Sequence, residues 1–293
     1  MFDYDVETRA GFEVISSISK EGYSIYDVNY ESLFNRRIPA LLFIPNKGGP
    51  FPAVIYMHPS QGNRKTFYHE AKLLATKGYI SLLIEAPFFG RNSQTDDLDK
   101  KKFTKKIEAL ADIQEYIHTV MDIRMGVTLL SKLTIVDEAR IAFVGHGFGA
   151  ACGGVISGID SLIKTFVLIS GYGEASEWQL TSEHPIAAII RSFLPPERFE
   201  YFISSLRKLD AIHYVKNAAP ASIFFQFANN DEYIEQSHAT AFYSAASSPK
   251  KIIWYETDHL FSNCEAALTD RQEWLSKYIC AKYDSFSRES TKN

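Results

Sequence analysis

Gly-His-Gly-Phe-Gly occupies residues 145–149, directly after the mostly apolar segment Arg140–Val144. A short apolar run of this kind is typical of a parallel strand that is covered on both faces. The alternating glycines allow the backbone to reverse sharply after the strand, because glycine adopts conformations that other residues reach only with strain. We therefore expect a strand, a sharp turn centred on Gly147 and then a helix.

Six other segments have the composition of short buried strands. They are Ile38–Pro45, Ala53–Met57, Ile80–Glu85, Phe166–Ser170, Ser222–Phe227 and Lys251–Tyr255. Helical patterns lie between them, and in the longest, from Ile107 to Leu130, apolar residues recur mostly at spacings of three and four. Alternating strands and helices predict the α/β class with a doubly wound, mostly parallel sheet. Residues 1–293 are expected to form a single domain.

A long segment without strand signals interrupts this alternation. About 50 residues separate the strand that ends near Ser170 from the strand that begins near Ser222, which is too many for a simple crossover. We predict a small helical cap at residues 173–213, inserted after the fifth of the seven strands and covering a pocket. Four of its aromatic residues are predicted to bind substrate: Trp178, Phe193, Phe199 and Phe202. The alternative is that these residues only pack the cap against the core.

Composition excludes several classes of protein. The chain has 293 residues and a net charge of -4, which argues against an electrostatic surface for nucleic acid. No apolar run approaches the roughly 18 residues that a membrane span needs. Three cysteines without paired spacing favour a reducing, cytoplasmic setting. We find no metal-binding spacing and no phosphate-binding loop, so we expect no metal, no cofactor and a small-molecule partner; oligomeric state is not indicated.

Two polar residues that follow predicted strands are candidates for catalysis. Asp231 comes after the strand Ser222–Phe227, and His259 comes after the strand Lys251–Tyr255. A carboxylate orients an imidazole and stabilises its cation, and the imidazole then serves as a general base and acid. Asp258 is the neighbour of His259, but adjacent residues on a turn rarely face each other. We therefore predict that Asp231 is the partner of His259.

The loop that follows the strand Ala53–Met57 is the third candidate element. It begins with His58 and contains Ser60. A loop in this position supplies one backbone N–H to an oxyanion hole, and the residue after Gly147 supplies the second. We predict that Ser60 and Phe148 form the oxyanion hole and that His58 holds the loop in place.

Together these motifs resemble the α/β-hydrolases, in the broad group of dienelactone-hydrolase-like and prolyl-oligopeptidase-like esterases and peptidases. The resemblance extends from about Arg36 to Tyr283. Its marks are Ile38-Pro39, the His58 loop, Glu85-Ala86-Pro87-Phe88-Phe89-Gly90, the strand Arg140–Val144 and the turns at Asp231 and His259. The chain order of turn, acid and histidine also matches. Pro59 and Glu85 depart from the family, which commonly has glycine and aspartate there.

The resemblance implies a serine nucleophile at the position of Gly147, in the pattern G-x-S-x-G. Acid and histidine carry over to Asp231 and His259, but the hydroxyl does not. In another serine enzyme, loss of the nucleophile costs about 10⁶ in kcat. The chain as written is therefore expected to be inactive as a serine hydrolase. Ser60 and Cys152 are poor substitutes for the missing nucleophile. Cys152 lies on the following helix, more than one helical turn away from Gly147.

Three hypotheses for Gly147 remain open. In the first, the chain is a serine-to-glycine variant of an ester, thioester or amide hydrolase. In the second, glycine is native, and His259 with Asp231 acts as a general base in an epimerase, cyclase or lyase, or in water-mediated hydrolysis. In the third, the protein is a non-catalytic binding module that has kept the pocket, which gives no reason for Asp231 and His259 to occur together.

Overall fold

The computed structural model describes residue 2, residues 11–86 and residues 100–280 of the chain. Within these residues, nine strands form one sheet: β1 (Phe12–Ser19), β2 (Tyr23–Glu31), β3 (Arg37–Pro45), β4 (Phe51–Met57), β5 (Ile80–Ile84), β6 (Val136–His146), β7 (Ile163–Ile169), β8 (Ser222–Asn230) and β9 (Lys250–Asp258). Their order across the sheet is β1-β2-β3-β5-β4-β6-β7-β8-β9. All neighbours from β5 to β9 pair in parallel. The predicted mostly parallel sheet is therefore confirmed.

Each of the seven predicted strand segments lies in or overlaps one of the strands β3 to β9. The two strands that sequence reasoning missed, β1 and β2, form an antiparallel hairpin beside β3. Residues of β2 alternate between buried and partly buried, and β1 is largely exposed, with Val14 and Ile18 about half exposed. An edge hairpin that faces solvent lacks the continuous apolar run that identifies a covered parallel strand.

Nine α-helices lie within the described residues. They are α1 (Tyr68–Thr76), α2 (Lys100–Leu110), α3 (Ile113–Lys132), α4 (Phe148–Ser157), α5 (Ala175–Thr181), α6 (Pro185–Phe193), α7 (Pro196–Leu206), α8 (Gln236–Ala245) and α9 (Glu265–Leu275). The single helical pattern between Ile107 and Leu130 is divided into α2 and α3. The Asp112 side chain caps α3 by accepting a hydrogen bond from the Gln114 N–H at 2.9 Å. None of the described helices is long and apolar enough to cross a membrane.

The segment between β7 and β8 contains α5, α6 and α7, followed by three short 3₁₀ turns that begin at Arg207, Ala211 and Val215. All three α-helices lie within residues 173–213, the range of the predicted helical segment. Helix α5 packs against α6 and α7, α6 packs against α2, and α7 packs against α3. This helical group therefore lies beside α2 and α3.

The sheet is covered by apolar side chains on both faces. Successive residues of a strand point to opposite faces, so Ile55 and Met57 belong to one buried cluster, whereas Val54 and Tyr56 belong to the other. Because the neighbouring strands from β5 to β9 are parallel, their carboxyl ends lie at the same edge of the sheet. The segments that follow β4, β6, β8 and β9 meet at this edge.

Candidate functional site

A sharp turn at Gly147 joins β6 to α4. Gly147 has φ +53° and ψ −112°, a backbone conformation that residues with side chains adopt only with strain. Its N–H donates to the carbonyl of Ile169 at 2.9 Å, and its own carbonyl accepts from the Ala151 N–H at 3.0 Å. These bonds connect the turn to β7 and to the first turn of α4.

The two flanking glycines allow very close backbone packing. A Cβ added to Gly149 would lie 2.2 Å from the carbonyl oxygen of Met57 at the end of β4. A Cβ added to Gly145 would lie 2.4 Å from the carbonyl oxygen of Gly149. The start of α4 thus lies directly against the carboxyl end of β4, at a separation that no side chain permits.

Asp231 and His259 contact each other, as predicted. His259 Nδ1 is 2.9 Å from both carboxylate oxygens of Asp231. The Asp231 side chain is only 2% exposed and the His259 side chain only 9% exposed. Since a carboxylate only accepts hydrogen bonds, Nδ1 carries the proton and donates it. In the neutral ring Nε2 is then left with a free lone pair. Asp258, the alternative partner, instead accepts from the Ser262 N–H.

Several donors hold Asp231 in its charged form. The N–H groups of Tyr233 and Ile234 donate to Oδ1 at 2.9 and 3.0 Å, and the Ser170 hydroxyl donates to Oδ2 at 2.9 Å. Burial alone would raise the pKa of Asp231, but the His259 side chain and these donors outweigh it and hold the pKa below its ordinary value. Asp231 is therefore a fixed anion that orients the His259 ring.

The free nitrogen of His259 faces the turn at Gly147. A Cβ built on Gly147 would lie 3.8 Å from His259 Nε2 and 3.3 Å from Cβ of Pro59. A side-chain oxygen one bond further out would come within hydrogen-bond reach of that nitrogen. Gly147, Asp231 and His259 therefore converge at the carboxyl edge of the sheet.

His146, immediately before the turn, contacts His259. Its Nε2–H donates to the main-chain carbonyl of His259 at 2.8 Å, and the two rings lie 5.6 Å apart. Burial, together with the neighbouring His259, lowers the pKa of His146 to about 3. The neutral His146 ring thus holds the loop that carries His259 in place through this hydrogen bond.

The loop after β4 is held by His58. The His58 Nδ1–H donates to the Pro59 carbonyl at 2.7 Å, and Nε2 accepts from the Ala86 N–H at 3.0 Å. Burial lowers the pKa of His58 to about 4, so the ring is neutral and serves as a brace. The Gly62 N–H closes the turn onto the Pro59 carbonyl at 2.8 Å. Residues Pro87–Gly90 of the family resemblance lie outside the described residues.

Phe148, the residue after Gly147, begins α4. The first N–H groups of a helix have no acceptor within that helix and are available to other groups. Phe148 and Ser60 line one cavity, with a volume of about 50 Å³, together with Leu110, Tyr116, Tyr172, Ala175, Trp178, Gln179, Ile186, Ile190, Phe202 and Leu206. This cavity therefore lies between the helical segment after β7, helix α3 and the start of α4.

Two of the four aromatic residues predicted to bind substrate, Trp178 and Phe202, line this cavity. Phe193 and Phe199 are not among its lining residues; Phe193 ends α6 and is 38% exposed, and Phe199 packs at the margin of the core. The amphipathic pattern of α6 and α7 identifies an apolar face but does not tell which residues of that face point to a cavity.

Sequence reasoning missed four residues around the site. Ser170 has φ +41°, and its hydroxyl contacts Asp231. Tyr172 stacks on Trp178 at 4.5 Å, and His184 lies 6.1 Å from the His259 ring. Tyr116 approaches from α3 and packs edge-on against Phe148. Only Ser170 carried a usable signal, since it lies at the end of a predicted strand.

Cys152, considered as a displaced nucleophile, is completely buried on α4. Burial raises the pKa of its thiol far above the ordinary range, so the reactive thiolate does not form. The thiol therefore packs as a small apolar group.

The mostly parallel sheet with its flanking helices is that of the α/β-hydrolase class. The chain matches the acetyl xylan esterase (AXE1) family over residues 6–277, and it belongs to that family. The match covers most of the chain and confirms the superfamily that the motifs resemble. No curated protein gives a sequence match to the chain.

Solved structures of esterases have the same fold. The acetyl xylan esterase from Paenibacillus sp. R4 aligns with a TM-score of 0.75 at 19% identity, covering 92% of this chain and 89% of the other. Acetyl xylan esterase 1 from Thermoanaerobacterium sp. JW/SL YS485 aligns at 0.73, with the same identity and coverage. The esterase domain of a Rhodothermus marinus protein aligns at 0.62 and 17% identity, covering 87% of this chain and 99% of the other. At these identities the likeness establishes the fold.

Proposed function

We propose that this chain carries the substrate site of a carboxylic ester hydrolase and that, with Gly147 at the centre of its turn, it binds the ester without forming an acyl-enzyme. One observation carries the proposal: a side chain at position 147 would start 3.8 Å from Nε2 of His259. The base is oriented by Asp231 and directed at the one atom position where a nucleophilic oxygen is missing.

Each residue has a distinct role in the proposed reaction. A nucleophile at position 147 would lose its proton to His259 Nε2 as it attacks the ester carbonyl, and Asp231 would stabilise the resulting imidazolium. The N–H groups of Ser60 and Phe148 would receive the developing oxyanion. His259 would then return the proton to the departing alcohol. Without a hydroxyl at position 147 this route stops at the bound ester.

The cavity favours a short acyl group. Its volume of about 50 Å³ admits only a few non-hydrogen atoms. The helices α5, α6 and α7 supply much of its apolar lining, so we propose that residues 173–213 act as a cap over this pocket. Membership of the acetyl xylan esterase family supports an acetyl-sized substrate, which we propose for this chain as well.

The decisive experiment restores a hydroxyl. Gly147→Ser should hydrolyse 4-nitrophenyl acetate several orders of magnitude faster than the unmodified chain, because the new oxygen meets an oriented base. Adding His259→Ala should abolish the gain. Gly147→Ala is the matched control, since it introduces the same Cβ and the same backbone strain but no hydroxyl. If Gly147→Ser folds and binds the ester but is no faster than Gly147→Ala, the proposal is wrong.

A second candidate function is general-base chemistry without a covalent intermediate, as in an epimerase, cyclase or lyase. The observation that favours it is the free Nε2 of His259, which faces the space above Gly147, where the glycine places no side chain. A substrate carbon acid or a water molecule placed there would lose its proton to His259. In that case His259→Ala in the unmodified chain should remove the native turnover, and Gly147→Ser should not increase it. If neither substitution changes any turnover, the binding-module hypothesis remains.

A further inference from the structure

Tyr116 carries a buried hydroxyl that has no hydrogen-bond partner among the described residues. The residue lies in the first turn of α3 and is 8% exposed. Its ring packs edge-on against Phe148, with 5.8 Å between the centroids. A buried polar group without a partner is rare in folded proteins and costs free energy, so it calls for an explanation.

Two other fully buried tyrosines are satisfied within the protein. The Tyr30 hydroxyl donates to the carbonyl of Asp122 at 2.7 Å, and the Tyr56 hydroxyl donates to Glu70 at 3.5 Å. Both belong to the packed core. Tyr116 belongs to the same core cluster as Tyr30, but it differs from both of these tyrosines in lining a cavity.

The position of the cavity identifies the part of the ester that would occupy it. Ser60 and Phe148 line the cavity, whereas His259 does not. His259 must reach the oxygen of the departing alcohol to protonate it. With the ester carbonyl between Phe148 and His259, as the proposed function requires, the cavity lies on the side of the carbonyl away from the alcohol, where the acyl chain extends.

We propose that the Tyr116 hydroxyl donates a hydrogen bond to an oxygen carried by the acyl chain, so that, among short acyl groups longer than acetyl, the site selects those of oxygenated acids over those of plain alkanoic acids. The inference rests on the proposed function only in assigning the acyl chain to this cavity. The chemical class comprises 2-alkoxy, 2-hydroxy and 2-oxo acyl groups, each with an acceptor oxygen near the carbonyl carbon.

The protonation state of Tyr116 suits this role. Burial, with smaller contributions from Cys152 and Tyr172, raises the pKa of Tyr116 well above its ordinary value. The phenol therefore keeps its proton and acts as a donor across the working pH range. A site built to donate to a substrate oxygen discriminates strongly against an analogue that lacks the oxygen, because the donor is then left unpaired.

A matched pair of ligands tests the proposal without any catalysis. Methyl methoxyacetate and methyl butyrate differ by one oxygen in place of one methylene in the acyl chain. Their dissociation constants for the unmodified Gly147 chain and for Tyr116→Phe would be measured by NMR titration. The ratio of the two constants should change at least about fivefold between the proteins, with the preference for methoxyacetate lost in Tyr116→Phe. Comparing ratios cancels the different hydration of the two esters.

Two controls make the result specific. Tyr201→Phe makes the same chemical change on the exposed face of α7, where Tyr201 is 68% exposed, and should leave the ratio unchanged. Tyr116→Phe should unfold at the same temperature as the unmodified chain or a higher one, since it removes an unpaired buried hydroxyl. An unchanged ratio in Tyr116→Phe, as expected if a water molecule satisfies the hydroxyl, overturns the proposal, as does failure of both esters to bind. Because binding needs no nucleophile, an inactive Gly147→Ser would count against the proposed function alone.

Discussion

Nε2 of His259 lies 3.8 Å from the point where Gly147 would carry a Cβ atom. The same ring is held through Nδ1 by both carboxylate oxygens of Asp231 at 2.9 Å. A histidine fixed in this way has one tautomer and one direction for its lone pair. The site therefore combines a histidine of fixed orientation with a glycine at the tip of the turn that the histidine faces.

Covalent probes should distinguish the chain from its serine variant. The unmodified protein should not react with a fluorophosphonate, because the turn at Gly147 offers no hydroxyl, whereas Gly147→Ser should be labelled stoichiometrically at position 147. Intact-protein mass spectrometry followed by peptide mapping checks both statements. Labelling of the unmodified chain at Ser60 or Cys152 would mean that a displaced nucleophile exists.

Ser170 should affect the rate of the proposed reaction through its hydrogen bond to Asp231. Removing its hydroxyl takes one donor from the carboxylate, which raises the pKa of Asp231 and loosens the hold on His259. In the Gly147→Ser background, Ser170→Ala should lower kcat by about three- to tenfold with little change in KM. Steady-state kinetics with 4-nitrophenyl acetate measures this. Ser222→Ala, which removes a buried hydroxyl bonded to Thr165 at the other end of β8, should leave kcat unchanged.

Buried neutral histidines should make the protein less stable as the pH falls below neutrality. Burial lowers the pKa of His58 and His184 to about 4 and that of His146 to about 3. Between about pH 6.5 and about pH 4 the unfolded chain therefore binds more protons at these histidines than the folded chain. Stability then decreases as pH falls through that window, by at most about 1.4 kcal/mol per pH unit for each histidine. Asp122, whose pKa burial raises to about 6, opposes this trend.

The contribution of His184 to this loss of stability at low pH can be measured separately. Its Nδ1 caps α6 by accepting from the Ile186 N–H at 3.2 Å, a role that asparagine also fills. His184→Asn should lose less stability than the unmodified chain between about pH 7 and about pH 5, as measured by urea denaturation. His69→Asn, on the exposed side of α1, is the matched control and should show the slope of the unmodified chain. If stability depended on pH equally in all three proteins, His184 would not contribute to the loss of stability at low pH.

Gly149 should tolerate no side chain. A Cβ there would meet the Met57 carbonyl oxygen at 2.2 Å, and a backbone atom cannot rotate away. Gly149→Ala should lower the free energy of unfolding by at least about 3 kcal/mol or prevent folding. Gly11→Ala places its Cβ in open space and should change stability by less than about 0.5 kcal/mol. Chemical denaturation checks both variants, and normal stability in Gly149→Ala would mean that β4 and α4 separate easily.

The strands that sequence reasoning found and missed differ in one physical property. Arg140–Val144 and Ala53–Met57 lie in strands buried on both faces, so local composition alone identified them. The hairpin of β1 and β2 is partly exposed and was missed for the same reason. The division of α2 from α3 at Asp112 is a capping effect that an apolar period does not reveal.

The sequence by itself determined the α/β class, the sharp turn at Gly147 and the candidates Asp231 and His259. These follow from local composition and from the rule that parallel strands end at a common edge. Only the tertiary structure decided that Ser170 contacts Asp231, that Phe193 lies outside the cavity and that the Tyr116 hydroxyl has no described partner. Such contacts join segments far apart in the chain, and their distances depend on how helices pack on the sheet. That packing is a property of the whole fold and leaves no local pattern in the sequence.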